Sequence, residues 1–251
     1  MNASAEQIHL SLEAVARFRE MRNGNAPLLL ANAAIKRFQA QRFQATYFDL
    51  LQSPRYQNAA RFFLLELYGD KDYSERDQQF ARIANTIAKL FPQSVVNTAA
   101  AMAEVHALTE QLDDAMARAY LALQAANDGN DGEIDPAQYI ECWRQVADKA
   151  ARHRQLDVVL ALGRSLDSLT RKPGLRTLLR MMRGPASTAG LGSLQKFLES
   201  GFDAFQTMRG ADEFLKLITQ RETDWIARLF DEDAVACETK LTALLAGPVA
   251  I

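Results

Sequence analysis

The chain has 251 residues, of which 48% are hydrophobic and 24% charged, enough for one large domain or two modest ones with a sizeable core. A formal net charge of −2 and a pI near 6.0 exclude a global attraction to nucleic acid or to an anionic membrane, so either would need a local patch. Cys142 and Cys237 fit neither a disulfide framework nor a zinc motif and read as small buried hydrophobes.

The polar first residues lead directly into a helical pattern without the basic and apolar regions of a signal peptide, and no apolar run approaches the roughly 18 residues of a membrane span. A soluble, cytoplasmic protein is the expectation. Over residues 6–21, Ile8, Leu12, Val15 and Phe18 recur at helical spacing and share one face. Asn23-Gly24-Asn25 ends that helix, and Pro27 opens a second that runs to about residue 52, where Ser53-Pro54 breaks it. A third helix over 56–68 stops at Gly69. Ser74 and Asp77 have the spacing of a capping box for a fourth, which carries Phe80, Ile83 and Ile87 inward and ends before Pro92.

The longest pattern covers residues 93–127, with Met102, Val105, Thr109, Leu112, Met116, Ala119 and Leu123 on one stripe. Unbroken, it would reach about 50 Å, the length of a bundle's central helix. The strongest loop signal, at 127–132, precedes Asp135-Pro136, a cap followed by a first-turn proline. Further helices are expected over 136–151, 155–169, 175–183, 191–208, 211–230 and 232–245. No alternating β-branched run suggests a strand, and no repeat of 20 to 50 residues suggests a solenoid. The expectation is therefore an all-α protein, an irregular bundle of about ten or eleven helices in one domain over 1–251, with a sub-boundary conceivable only in the loop at 127–135.

Two stretches carry a resemblance. One is Phe62-Phe63-x-x-Glu66-Leu67-Tyr68-Gly69-x-x-Asp72-x-Ser74-x-Arg76-Asp77. The other runs from Arg180-Met181-Met182-Arg183-Gly184-Pro185-Ala186 through Gly190-Leu191-Gly192 to Phe197-Leu198-Glu199-x-Gly201-Phe202. Together they resemble a family of uncharacterised proteobacterial helical proteins, over most of the chain. The resemblance implies an all-α protein and brings no catalytic residue with it.

Three constellations stand out. Glu66, Asp70, Asp72, Arg76 and Asp77 crowd one interhelical joint and suit a cation or a basic partner, although most of them also serve as turn and cap residues. His106, Glu110 and Asp113 share a flank of the long helix just off its apolar stripe. They are weak metal candidates, with a His106–Glu110 pair at the core boundary as the plainer expectation, because helical di-metal sites draw ligands from several inward-facing helices. Arg176, Arg180 and Arg183 line one face of a short helix, and no acid occurs from Leu169 to Leu198. With Ser187 and Thr188 following, taken as the opening of the next helix, this row suits a phosphate or carboxylate. The alternative is pairing with acids such as Glu199 or Asp203. Dinucleotide and P-loop fingerprints, a nucleophile elbow and nucleic-acid modules are all missing. The function expected is action through a protein partner or self-association, with an arginine face for anions and no cofactor, nucleic acid or membrane. The alternative is a haem-oxygenase-like or ferritin-like metal-dependent oxidoreductase, by analogy of fold class alone.

Overall fold

A computed structural model describes residues 3–67, 73–90, 92–126 and 133–247. Among them the protein is all-α: α1 (Ala3–Asn23), α2 (Ala26–Thr46), α3 (Phe48–Gln52), α4 (Gln57–Phe62), a π-helical turn (Phe63–Leu67), α5 (Ser74–Leu90), α6 (Gln93–Ala126), α7 (Pro136–Val146), α8 (Lys149–Thr170), α9 (Leu175–Met181), α10 (Arg183–Thr188), α11 (Gly192–Met208), α12 (Asp212–Asp231) and α13 (Ala234–Leu245). With α4 and the π turn counted as one rod, eleven helices run seven residues or more. No helix among the described residues is long and apolar enough to cross a membrane.

Caps written in the sequence set several helix starts. Asn25 accepts from Leu28 N ahead of α2, and Asp135 with Gln138 makes a reciprocal capping box ahead of Pro136. Three boundaries differ from expectation. The second predicted helix breaks at Tyr47 because Arg221 of α12 draws off the Thr46 carbonyl at 2.8 Å while Glu222 accepts from the Tyr47 hydroxyl at 2.7 Å. The helix begun at Pro136 stops at Val146: Ala147 is left-handed (φ 53°), and Asp148 caps a helix that runs unbroken through the predicted gap at 152–154. The predicted helix over 175–183 divides into α9 and α10 around Met182.

The long helix α6 is the axis. α1, α2, α7 and α8 pack along it, α5 crosses its N-terminal half, and α11 packs over α4, α5 and α8. Buried side chains from Ile8 to Leu241 form one hydrophobic cluster, which includes Cys142 and Cys237 as free, buried thiols. The α4–α11 crossing is unusually close. A Cβ at Gly201 would lie 2.9 Å from Phe62 Cζ, and Phe62 is itself held between Phe63 and Phe197. We therefore expect Gly201→Val to cost about 1–3 kcal/mol through overpacking, read as a lower urea midpoint at unchanged slope.

Candidate functional site

The interior of the bundle is charged as well as apolar. Arg22, Arg42, Asp77, His106, Glu110, Asp113, Asp114 and Arg152 are all under 9% exposed. The structure joins two of the sequence candidates: Asp77, from the charged joint, meets His106, from the long helix. His106 Nε2 lies 2.9 Å from Asp77 Oδ2, which also accepts from Arg19 at 3.0 Å, while Oδ1 accepts from Arg76 at 3.2 Å. Asp77 was expected to complete a capping box; its carboxylate turns inward instead. Burial opposes its charged form, but the hydrogen bond and charge of His106, with Arg76 and Arg19, outweigh this and hold its carboxyl at about 2.

The expected His106–Glu110 pair does not form. Glu110 is gripped by Arg22 of α1 and by Lys36 of α2, whose Nζ lies 2.6 Å from Oε1, and Lys36 is also 3.9 Å from Asp113. Burial again opposes ionisation, yet Lys36 and Arg22 bring the Glu110 carboxyl down to about 2. Asp113, almost wholly enclosed, is pushed the other way by burial. His106 and Glu110 were placed at the core boundary; both are inside it, because α1, α2 and α5 cover that flank of α6. Among the described residues no group of three His, Cys, Asp or Glu side chains could hold a metal ion.

Glu66 lies one residue before the end of the π turn. Its carbonyl accepts from Arg76 at 3.1 Å, and the Leu65 carbonyl accepts from the Tyr73 hydroxyl at 2.5 Å, so two side chains of the following segment satisfy oxygens at the end of that helix. Arg76 stacks on Tyr73 and Phe197 at 4.3 and 4.7 Å. Asp70 and Asp72 lie outside the described residues.

The arginine row lies on the outside of α9 and α10. Arg176 Nη2 pairs with Asp203 at 2.7 Å, and Arg183 forks onto both oxygens of Glu199 at 2.7 and 2.6 Å. That fork holds the Glu199 carboxyl at about 2. Arg180 is exposed, with no partner among the described residues. Ser187 and Thr188 stand at the C-terminal end of α10, not at a helix start, and the Thr188 hydroxyl donates to Gly184 O at 3.1 Å. The next helix opens at Gly192, so Ser187 and Thr188 face away from the N–H groups that the sequence reading had paired with the arginines.

Beneath that row lies the feature sequence reasoning missed. α5, α6, α8 and α11 enclose a cavity of about 220 Å³, roofed by α9 and α10. Phe80, Val95, Ala99, Met102, Leu166, Leu194, Leu198 and Phe202 form its walls, and Leu175, Leu179, Met182 and Ala186 its roof. No residue of α9 is buried; Leu178 and Met181 point outward, at 42% and 71% exposure. Glycines with positive φ, Gly174 (79°) and Gly190 (66°), bound the roof at its two ends. The sequence signal was the leucines opposite the arginines, but periodicity registers an inward face and not the empty space before it.

The buried carboxylates generate a pH prediction. A folded pKa below the unfolded value contributes stability above the unfolded pKa, and that stability is lost as pH falls through the folded one. For Asp77 and Glu110 the window runs from about pH 4.5 to about pH 2. Asp77→Asn should lower stability at pH 7 by on the order of 2 kcal/mol and flatten the decline between pH 5 and pH 3. Urea titrations across that range check it; an unchanged slope would contradict the assignment.

No curated protein and no solved structure matches the chain. A family model described as a domain of unknown function (DUF8198) matches residues 18–236, from within α1 to within α13. The chain belongs to that family.

Proposed function

We propose that this protein works by binding, and that its ligand is a hydrocarbon-rich small molecule, an acyl chain or alkyl-substituted ring, housed beneath α9 and α10. The cavity carries this reading. An engineered cavity of about 150 Å³ with aliphatic and aromatic walls stays dry and takes up benzene, and the space here is larger and lined the same way. Its walls offer few polar groups, and the amide nitrogen of Gln195 is already committed to Leu179 O at 2.6 Å and Glu199 at 2.9 Å. Such a site holds its ligand through burial of apolar surface and shape rather than directional bonds.

The arginine face contributes differently from the sequence expectation. Arg176 and Arg183 tie the roof to α11, leaving Arg180 as the cation suited to an anionic end of the ligand at the roof's edge. Nothing in the arrangement favours a metal-dependent oxidoreductase, since His106, Glu110 and Asp113 face α1, α2 and α5 side chains.

Displacement of an environment-sensitive fluorescent fatty acid tests the proposal. Medium-chain acyl compounds should compete for the site and raise the melting temperature. Ala99→Phe, whose ring would occupy the cavity, should weaken probe binding at least tenfold with unchanged far-UV circular dichroism. Equal probe binding by wild type and Ala99→Phe would place the ligand elsewhere, and no binding by wild type would end the proposal.

A second reading, self-association, rests on Leu10, Met21, Leu29 and Leu30, which are 45–71% exposed on α1 and the start of α2. If this patch pairs two copies, Leu30→Glu should convert a dimer to a monomer in sedimentation equilibrium. A monomeric wild type would refute it.

A further inference from the structure

The roof over the apolar cavity turns a solvent-exposed outer face whose charge is unlike that of the rest of the chain. Residues 169–198 hold six basic side chains, Arg171, Lys172, Arg176, Arg180, Arg183 and Lys196, and no acid. The whole chain has a net charge of −2, so this cationic segment belongs to an otherwise acidic protein. An overall charge near neutrality excludes a global attraction to anionic surfaces, not a local one.

Ion pairing does not cancel these charges at the surface. The Arg171 side chain is 66% exposed and its partner Asp167 only 7%; for Arg183 and Glu199 the values are 56% and 13%. In both pairs the guanidinium is the outer member. Arg176 and Asp203 are ordered the other way, with the acid the more exposed. Arg180 and Lys172 are exposed too, the latter donating to Ser94 Oγ at 2.6 Å.

Two apolar side chains stand among these cations. Leu178 and Met181 are three residues apart on α9 and so share a face, which points outward. Arg180 adjoins Met181 in sequence, and Arg171 and Lys172 lie just before the helix. Such a mixture suits the boundary between headgroups and acyl chains of a bilayer, where apolar side chains enter the hydrocarbon while lysine and arginine stay with anionic lipid. A single-stranded nucleic acid would call for stacking rings, and no aromatic residue occurs from 169 to 196. What lies beneath the face favours lipid over an acidic protein, because the same segment closes a cavity walled with hydrocarbon and none of the seven residues of α9 is buried.

We propose that the outer face of α9 and α10 docks this protein on an anionic bilayer, from which the hydrocarbon-rich ligand enters the cavity. The role given to docking rests on the reading of that cavity as an acyl or alkyl site. Such a ligand partitions into a bilayer rather than water, and docking sets the thinnest wall of the cavity against its source.

Sedimentation with ligand-free vesicles tests the docking. Vesicles of phosphatidylcholine mixed equally with phosphatidylglycerol should bind the protein at least tenfold more tightly than phosphatidylcholine alone. Sodium chloride at about 1 M, where the Debye length is about 3 Å, should release most of it. Met181→Glu should weaken vesicle binding at least tenfold, with far-UV circular dichroism and binding of the soluble fatty-acid probe unchanged. Val235→Glu makes the same charge change at an exposed apolar position on α13 and should leave vesicle binding as it is. Equal binding to both vesicle types, equal losses in the two variants, or retention on heparin without vesicle binding would overturn the proposal. Absent vesicle binding with intact probe binding would remove the docking and spare the cavity reading; the reverse would remove the cavity reading and leave the docking supported.

Discussion

The fold depends on satisfying the polar and ionisable side chains that α6 carries into the core. His106, Glu110 and Asp113 lie buried on a helix that α1, α2, α5, α7 and α8 pack against. A buried polar group left without a partner is costly, so each is met by a side chain from another helix. Arg22 comes from α1, Lys36 from α2 and Asp77 from α5. These pairings contribute less to net stability than to specificity. Sliding α1 or α2 by one turn along α6 would preserve much of the apolar contact but strand a carboxylate or a guanidinium, and so the register is set electrostatically.

The same logic relates the apolar cavity to a second, smaller one. One is walled with hydrocarbon and can stay dry at little cost; the other is polar, lined by the Arg42–Glu222 ion pair, Arg152 and the Tyr139 and Trp143 rings. They lie in different parts of the bundle, α11 bordering the first and α12 the second, so occupancy of one need not disturb the other. The protein thus combines a polar region organised around Arg42 and α12 with a lightly covered apolar region beneath α9 and α10.

Much of the architecture was legible in the sequence, since amphipathic periods, the cap at Asp135 and breaks at Gly and Pro are local properties. The break at Tyr47 was not, because its cause, Arg221, lies far along the chain. The continuity of α8 through residues 152–154 was hidden by polar residues that a periodic reading takes for a gap; Arg152 and Gln155 are in fact buried and bonded. Candidate residues fared similarly. The acids that meet Arg176 and Arg183, Asp203 and Glu199, were among those considered, while the break at Met182 that puts Arg183 on a separate helix was not. His106 was assigned the wrong partner because an i, i+4 neighbour is visible in sequence and Asp77 is not. The leucines opposite the arginines marked an inward face, but the apolar cavity before it could not be read, since empty space is defined by six helices together.

The light attachment of α9 and α10 has a consequence for how the molecule breathes. With none of the seven residues of α9 buried, and ion pairs and one amide contact tying the roof to α11, that segment can detach while the α6 network stays intact. Its amides should then exchange with solvent through a local opening whose free energy lies well below that of global unfolding. The glycines at 174 and 190 let the roof swing as a unit without straining the helices on either side. Access to the interior would be governed by this small opening equilibrium, and anything that stiffened the roof would slow exchange there and nowhere else.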